Sequence, residues 1–456
     1  MIQDLYNISP VFLQNMACSL YGYKENRKRY GVYFKQMLAS LSKTEWFSKT
    51  EIEHYQNEQV KRLVAHAYDT VPYYTALFKS QKLHPDDIQT IHDLDKIPIL
   101  TKDILRQQED QLVSTAFKKQ RLTKSKTSGS TGKAVTIYRE VNSLQFHWAL
   151  WWRLRERFGI KFEQDLLHLN FTGRPVVPTK NRKRPFWRYN RAFNQYLLPM
   201  QQILPSAIND ILFFLENIQF EYYIGYPSII NNFCDMLNEK NLKLSKFPKF
   251  IFSGCEKLYD FQKENIEQTL NTSVKDQYGM AEGVGNATQC EFGNYHEDFE
   301  HGILNISHTV NSCSKQGSVI GTGFSNYAMP LINYEVGDIA ILGDGECPCG
   351  RKSKLFSSFE GRHEDYVITP EGNHIMRFDY LFKETKAIKE AQVQQHQLGE
   401  IVICLVKTDF YNFDIEKKLR KMVKEWISPT LKVNFNYVDQ IQRTNTGKFR
   451  AVVSYL

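Results

Sequence analysis

A mixed α/β fold, with a helical N-terminal segment, a large body and a small α+β unit at the C-terminal end, is what this chain of 456 residues predicts. Three observations carry that reading. In the first hundred residues Val60, Leu63, Val64 and Ala67 fall at i, i+3, i+4 and i+7; Pro72 then ends that helix and Pro98 opens the next segment. From about residue 120 β-like runs alternate with helical ones. Residues 220–224 lead through Gly225 into a helix with Ile229, Ile230, Phe233, Met236 and Leu237 on one face, and 250–252 lead through Gly254 into another. Such units put functional loops at the carboxyl ends of strands. Beyond residue 362 the texture changes. Glu400–Lys407 alternates as a strand, Asp414 can cap a helix carrying Ile415, Leu419, Met422, Val423 and Trp426, and 433–438 reads as a further strand. A unit of roughly 90 residues can stand as its own domain, so the expected division is 1–361 and 362–456.

Composition narrows the function classes. Apolar residues at 42% and charged residues at 24% exclude a largely disordered chain. No run approaches the roughly 20 apolar residues that span a bilayer, and the first 22 residues lack the basic and continuous apolar regions of a secretory signal. A cytoplasmic protein with reduced thiols is expected, its eight cysteines including possible metal ligands. A net charge of +8 is mild for this length; it suits an anionic ligand but does not argue for nucleic acid or membrane. Basic and aromatic residues interleave over 174–191, where Arg174, Lys180, Arg182, Lys183, Arg184, Arg188 and Arg191 surround Phe186, Trp187 and Tyr189. Nucleic acid is one occupant of such a pattern. Without a recognisable binding module, a mobile loop meeting an anionic substrate or carrier is the preferred reading. The basic face of the C-terminal helix (Lys417, Lys418, Arg420, Lys421, Lys424) reads as a solvated surface.

Five segments carry chemistry. Thr127, Ser128, Gly129, Ser130, Thr131, Gly132 and Lys133 combine two glycines, which let the backbone approach an anion, with hydroxyl and ammonium donors. The spacing of the glycines is too short for a Walker A loop. Asp276, Gln277, Tyr278, Gly279, Met280, Ala281 and Glu282 place a ring, a tight turn and two carboxylates together, a set able to stack on a base, bond its amine and hold hydrated Mg²⁺. Asp338 follows Gly337 on a strand preceded by Pro330, Leu331, Ile332, Asn333 and Tyr334, and suits ribose hydroxyls. Gly361, Arg362, His363, Glu364 and Asp365 stand at the domain junction, and Lys448 lies on a glycine turn within 443–450. Taken singly, each is equally a turn, an edge strand, a linker or a basic tail.

Together, TSGSTGK, DQYGMAE, YEVGD, GRHED and RTNTGKFR occur in the order and approximate spacing of the adenylate-forming acyl-activating superfamily. The chain resembles its phenylacetate–CoA ligase-like branch, which includes capsular polysaccharide biosynthesis proteins. Branch features include 68–74 (YDTVPYY), Pro98 to Lys102 (PILTK), 225–228 (GYPS) and 253–256 (SGCE). The resemblance implies an N-terminal domain holding ATP and acid and a mobile C-terminal domain. A carboxylate attacks the α-phosphate, giving an acyl-adenylate and pyrophosphate; CoA or another nucleophile then displaces AMP. It implies that residues 127–133 hold the phosphates, Thr127 taking part in the chemistry. Tyr278 would stack on adenine beside Gly279 and Met280, with Asp276 at the amine and Gly254, Cys255 and Glu256 lining the base. Glu282 would sit at Mg²⁺, Asp338 and Arg362 at the ribose, and Lys448 at the reacting carboxylate. Glu364 matches the hinge. Two departures stand out: Asn333 where the family often has arginine, and Met280 and Ala281 in place of small hydroxyl residues.

The branch also carries a Cys/His pattern similar to Cys290, His296, Cys347 and Cys349, which implies a closed structural Zn²⁺ site. His301 and Cys313 are substitute ligands. Cys18, Cys234 and Cys404 read as core. The acid pocket is expected near 168–170, Tyr226 and the turn after Ser253. Expected partners are a small carboxylic acid and an acceptor that is CoA, a carrier protein or an amino sugar, in surface polysaccharide or glycoconjugate synthesis, with no specific nucleic acid. The alternatives are an adenylate-forming amide or carrier-protein ligase and, in another class, a catalytically degenerate nucleotide-binding protein.

Overall fold

The computed structural model describes residues 2–126, 135–178, 184–307, 315–360, 366–372, 374–375, 378–382, 387–442 and 450–456. Helices build the N-terminal segment: α1 (Ile2–Ile8), α2 (Val11–Arg29), α3 (Val32–Thr44), α4 (Lys49–Thr70), α5 (Pro72–Gln81) and α6 (Lys102–Gln107). Helix α4 opens on a capping box between Ser48 and Glu51 and buries Val60, Leu63, Val64 and Ala67 along the expected stripe. Pro72 starts α5 at its first position, where a missing N–H leaves no bond unmade. The hairpin strands β1 (Thr123–Lys126) and β2 (Thr136–Arg139) flank residues 127–134, and α7 (Val141–Arg157) follows.

The centre of the body is a six-stranded sheet. Its strands are β3 (His168–Thr172), β4 (Arg188–Asn190), β5 (Gln195–Pro199), β6 (Tyr222–Gly225), β7 (Phe250–Ser253) and β8 (Ser273–Lys275), in the order β4-β5-β3-β6-β7-β8. All pair in parallel except β4, which is antiparallel to β5. The connecting helices α8 (Ile208–Asn217), α9 (Pro227–Glu239) and α10 (Asp260–Leu270) pack apolar faces on it, α9 through Ile229, Ile230, Phe233, Met236 and Leu237. The chain builds β5 on one side of β3 and β6 on the other, which makes β3 a topological switch point with a crevice at the carboxyl ends. Gly173, Tyr226, Gly254 and Asp276 are the residues that follow β3, β6, β7 and β8.

Beyond Asp276 the chain enters a seven-stranded sheet of β9 (Gln277–Gly279), β10 (Asn286–Gln289), β11 (Tyr295–Glu297), β12 (Gly302–Ser307), β13 (Gln316–Gly323), β14 (Tyr334–Leu342) and β15 (Leu355–Glu360). It is antiparallel throughout, in the order β12-β13-β14-β15-β11-β10-β9. Asp276 alone separates β8 from β9, so it stands at the seam between the two sheets.

The C-terminal unit holds β16 (Val367–Ile368), β17 (His374–Ile375), α11 (Asp379–Phe382), β18 (Ile388–Gln397), β19 (Glu400–Lys407), α12 (Phe413–Trp426), β20 (Lys432–Tyr437) and β21 (Val452–Ser454). A small mixed sheet, β20-β19-β18-β21, takes Leu419 and Val423 of α12 against its apolar residues. The cap of α12 is Asn412, not Asp414: its side chain accepts from the Asp414 and Ile415 N–H groups at 3.0 and 3.3 Å. Asp414 falls instead in the first turn, where its charge suits the positive helix end.

The described part of 174–191 is not a loose loop. Phe186 and Arg188 are buried, Trp187 stacks on Phe214 with centroids 3.8 Å apart, and β4 closes one edge of the sheet. Arg188 is held by Gln14 of α2 and by the carbonyls of Pro185 and Trp187. Those bonds satisfy a guanidinium that the sequence alone would assign to a loop meeting an anion. Lys180, Arg182 and Lys183 lie outside the described residues.

Candidate active site and metal centre

The carboxylates expected at a nucleotide lie at the end of β8, just beyond β9 and on β14. Buried Asp276 accepts from Ser253 Oγ at 2.5 Å and from Tyr295 Oη at 2.6 Å, and burial raises its carboxyl above the ordinary range. Its backbone N–H donates to Gln289 Oε1 at 2.9 Å. The turn after Ser253 therefore touches the acidic seam directly. Within that turn Gly254 lies against Trp151, and a Cβ there would stand 2.9 Å from the indole. Cys255 is exposed and adopts φ of +70°, a left-handed conformation unusual for a residue other than Gly, Asn or Asp. Glu256 accepts from Ser228 Oγ at 2.6 Å, which joins the first turn of α9 to the turn after β7.

Tyr278 is half-buried. One ring face stacks on Phe359 at 3.7 Å and 4°, and its hydroxyl donates to Asp338 Oδ2 at 2.9 Å. Strands β9 and β14 thus bring the proposed base-stacking ring and the proposed ribose carboxylate into one unit. Gly279 runs beside Asn286 of β10, so closely that a Cβ would fall 2.6 Å from its amide oxygen; Met280 follows, partly buried against apolar neighbours.

Glu282 is buried, accepts from Tyr334 Oη at 3.2 Å and lies 3.8 Å from Lys102 Nζ. Arg139, at the end of β2, donates to the Ala281 carbonyl oxygen. Burial lowers its guanidinium from the ordinary range, with the Glu282 charge acting against that. Two cations therefore flank the carboxylate expected at Mg²⁺, and a lone carboxylate oxygen ligand suits that hard ion. Lys102, Arg139 and Phe359 were missed as site residues. Lys102 belongs to the PILTK segment and Arg139 ends the strand after the hydroxyl-rich segment, but their partners are far along the chain.

Asn333 takes a different part from the arginine it replaces. It is buried at φ of +51°, and its amide donates to the carbonyls of Leu94 and Ile97 at 2.6 and 2.9 Å. Asparagine tolerates that conformation, and here it ties β14 to the N-terminal segment. Thr127 to Lys133, Arg362, Glu364, Cys313 and Lys448 lie outside the described residues.

Cys290, His296, Cys347 and Cys349 converge, their ligand atoms all within 4.8 Å of one another. Cys290 Sγ is 3.6 Å from Cys347 Sγ, and Cys349 Sγ is 3.2 Å from His296 Nε2. With metal–sulfur bonds of about 2.3 Å, a tetrahedral S–S edge is about 3.8 Å, so the four atoms fit one Zn²⁺. Turns bonded from Gly293 N to Cys290 O and from Gly350 N to Cys347 O shape the two ligand loops, and Asn294 donates to Cys347 Sγ at 3.2 Å. His301 is elsewhere, its Nδ1 3.0 Å from Ser325 Oγ. Cys234 and Cys404 are buried as expected; Cys18 is partly buried, beside the Tyr6 hydroxyl. The cluster adjoins the nucleotide crevice through Tyr295, the neighbour of His296, which bonds Asp276 and packs edge-on against Phe359.

A switch-point sheet, a carboxylate seam and a small C-terminal sheet unit give the chain the fold of the adenylate-forming ligases, and it is homologous over nearly its whole length to the phenylacetate–CoA ligases. Over its full length it is 26% identical to Protein CapK of Staphylococcus aureus, covering 99% of that protein. It is 20% identical to a phenylacetate-coenzyme A ligase of Thermus thermophilus, over 90% of this chain and 98% of that one. A family model described as the CapK C-terminal domain matches residues 367–455. In fold it is similar to 2-hydroxyisobutyryl-CoA ligase solved with 2-HIB-AMP and CoA, with a TM-score of 0.56, 15% identity and coverage of 91% and 92% of the two chains. No helix among the described residues is long and apolar enough to cross a membrane.

Proposed function

We propose that this protein condenses a carboxylic acid with ATP to an acyl-adenylate, releasing pyrophosphate, and then transfers the acyl group to CoA or another acceptor. The observation that carries this is the linked set in which Tyr278 bonds Asp338 and stacks on Phe359, while Phe359 packs on Tyr295, which bonds Asp276; Glu282 follows four residues after Tyr278, beside Lys102 and within the field of Arg139. Tyr278 and Asp338 hold the nucleoside, the turn at Gly254, Cys255 and Glu256 lines the base, and Asp276 organises that turn through Ser253. Glu282 holds Mg²⁺, which screens the polyphosphate when bound. Lys102, Arg139, Lys133 and Lys448 neutralise the negative charge that builds as carboxylate meets phosphate. Residues 127–133 hold the phosphates, and Arg362 serves the ribose. Residues 362–456 reorient about Glu364 between the two half-reactions.

Zn²⁺ at Cys290, His296, Cys347 and Cys349 is structural, fixing β11 and β15 so that Tyr295 and Phe359 support Asp276 and Tyr278. A cytoplasmic setting is supported by the need for ATP and by the free and clustered cysteines among the described residues. A role in surface polysaccharide synthesis is supported by the full-length similarity to Protein CapK. The test is mass spectrometry of adenylates formed from a mixed pool of aryl, amino and short hydroxy acids, followed by the detected acid with CoA, carrier protein or amino-sugar nucleotides in turn. An acyl-AMP identifies the acid and the product identifies the acceptor. ATP binding without any adenylate in the pool supports the degenerate nucleotide-binding alternative instead.

A further inference from the structure

Helix α2 is packed inside out. A surface helix normally buries its apolar stripe and shows its polar face to water. Here the polar side chains point inward and serve as partners for the edge of the six-stranded sheet. Asn15 Oδ1 accepts from the Tyr189 N–H of β4 at 3.0 Å, Ser19 Oγ from the Arg191 N–H at 3.1 Å, and Gln14 Oε1 from Arg188 Nε at 2.6 Å. Asn26 donates to the Ala192 carbonyl at 3.0 Å. Gly22 sits so close to Asn190 that any Cβ would collide with it. These bonds cover a strand edge that would otherwise be open to pairing.

The outward face is apolar. Phe12, Met16 and Leu20 follow one another at i, i+4 and i+8, with Tyr23 completing the stripe, and they are 68%, 52%, 61% and 47% exposed. Leu5 and Ile8 of α1 continue the ridge at 65% and 81%. Every exposed position of α2 up to Tyr23 is apolar or aromatic, and the next two, Lys24 and Arg27, are basic. No residue from Leu5 to Tyr23 carries a charge. A ridge along a helix about 28 Å long exceeds what monomeric surfaces ordinarily leave exposed.

We propose that this face docks on an anionic lipid surface, with the N-terminal end of α2 among the acyl chains and Lys24 and Arg27 at the headgroups. The order along the exposed face, aliphatic and Phe first, then Tyr21 and Tyr23, then the cations, is the order of depth in a bilayer interface. A protein-binding patch is instead ringed by polar residues, whereas here the charges gather at one end, where an anionic leaflet attracts them. The membrane is touched, not crossed.

Flotation of the full chain with vesicles tests this. The wild-type protein binds vesicles of phosphatidylglycerol and phosphatidylethanolamine. Phe12→Glu/Leu20→Glu weakens binding by roughly tenfold or more, since the face and not only the charge is engaged. Lys24→Glu/Arg27→Glu weakens binding to those vesicles but not the residual binding to pure phosphatidylcholine. Both variants keep the wild-type melting curve in the absence of lipid, because the altered side chains point away from the fold. Failure of the wild-type protein to float overturns the proposal, as does equal flotation of Phe12→Glu/Leu20→Glu. A wild-type dimer in sedimentation that this variant splits into monomers also overturns it, by showing a second copy on the face.

Discussion

The Tyr278 hydroxyl donates to Asp338 Oδ2 at 2.9 Å while the ring lies flat on Phe359. Strands β9 and β14 are not neighbours in their sheet, so this bond fixes the position of one site residue relative to the other. Tyr278→Phe keeps the stack and loses the bond. A hydrogen bond to a charged group at a partly exposed site is worth about 1 kcal/mol, so KM for ATP rises roughly fivefold with kcat little changed. Tyr278→Ala removes the ring as well and raises KM further. Initial rates against ATP concentration check both.

Lys102 and Glu282 form an ion pair, with Nζ 3.8 Å from Oε1. Glu282→Gln and Lys102→Ala each lower kcat/KM for adenylation by about a hundredfold, the scale of losing one charge-stabilising group. Raising Mg²⁺ partly restores Lys102→Ala, where the carboxylate remains, and not Glu282→Gln. Restoration of both, or of neither, contradicts the assignment of the carboxylate to the metal.

Asn333 supplies two buried bonds from a left-handed backbone. Asn333→Ala leaves the Leu94 and Ile97 carbonyls without it and costs about 2 kcal/mol of stability. Asn333→Arg, which restores the residue common in the family, is destabilising for the same reason. Urea midpoints measure both.

The cysteine cluster yields a metal prediction. Purified protein carries about one zinc per chain, and Cys349→Ala loses it together with stability. Because Tyr295 and Phe359 flank the nucleotide crevice, chelation raises KM for ATP before it unfolds the chain. Elemental analysis and ATP titration after chelation read the two effects separately.

Two buried histidines set an acid limit. Burial first, and then the Arg155 charge, lower His168 to about 3, while burial and Arg139 lower His301 to about 4, against an ordinary value of 6.5. Between those values the unfolded chain binds more protons than the native one, so stability rises with pH across that window. It is fully present above about pH 6.5 and is lost as pH falls toward 4. His168→Phe, which can keep the stack on Tyr222 (4.6 Å, 8°), makes the melting temperature less steep between pH 7 and 5.

Much of the fold was legible because local patterns and tertiary burial agree. The α4 stripe and the α9 face are each periodic and each buried as the period requires, while β19 alternates only as far as Ile403 and then buries Cys404, Leu405 and Val406 in a row. Asp276, Tyr278 and Glu282 could be read because they lie within one short segment. Lys102 and Arg139 could not, since only sheet topology brings them to Glu282. The cap of α12 was misplaced by two residues because Asn412 and Asp414 are both capping types and geometry chooses between them. The 174–191 stretch misled for a different reason. Its charges suggested a mobile loop meeting an anion, but Arg188 is internally bonded, and the helix bonding it shows an apolar face outward.

Acid-dependent exchange of labelled pyrophosphate into ATP tests the central claim most directly. The account predicts exchange with at least one acid from an aryl, amino and short hydroxy acid set, lowered about a hundredfold by Glu282→Gln and abolished by Lys448→Ala. No exchange with any acid, from protein shown to bind ATP, contradicts it.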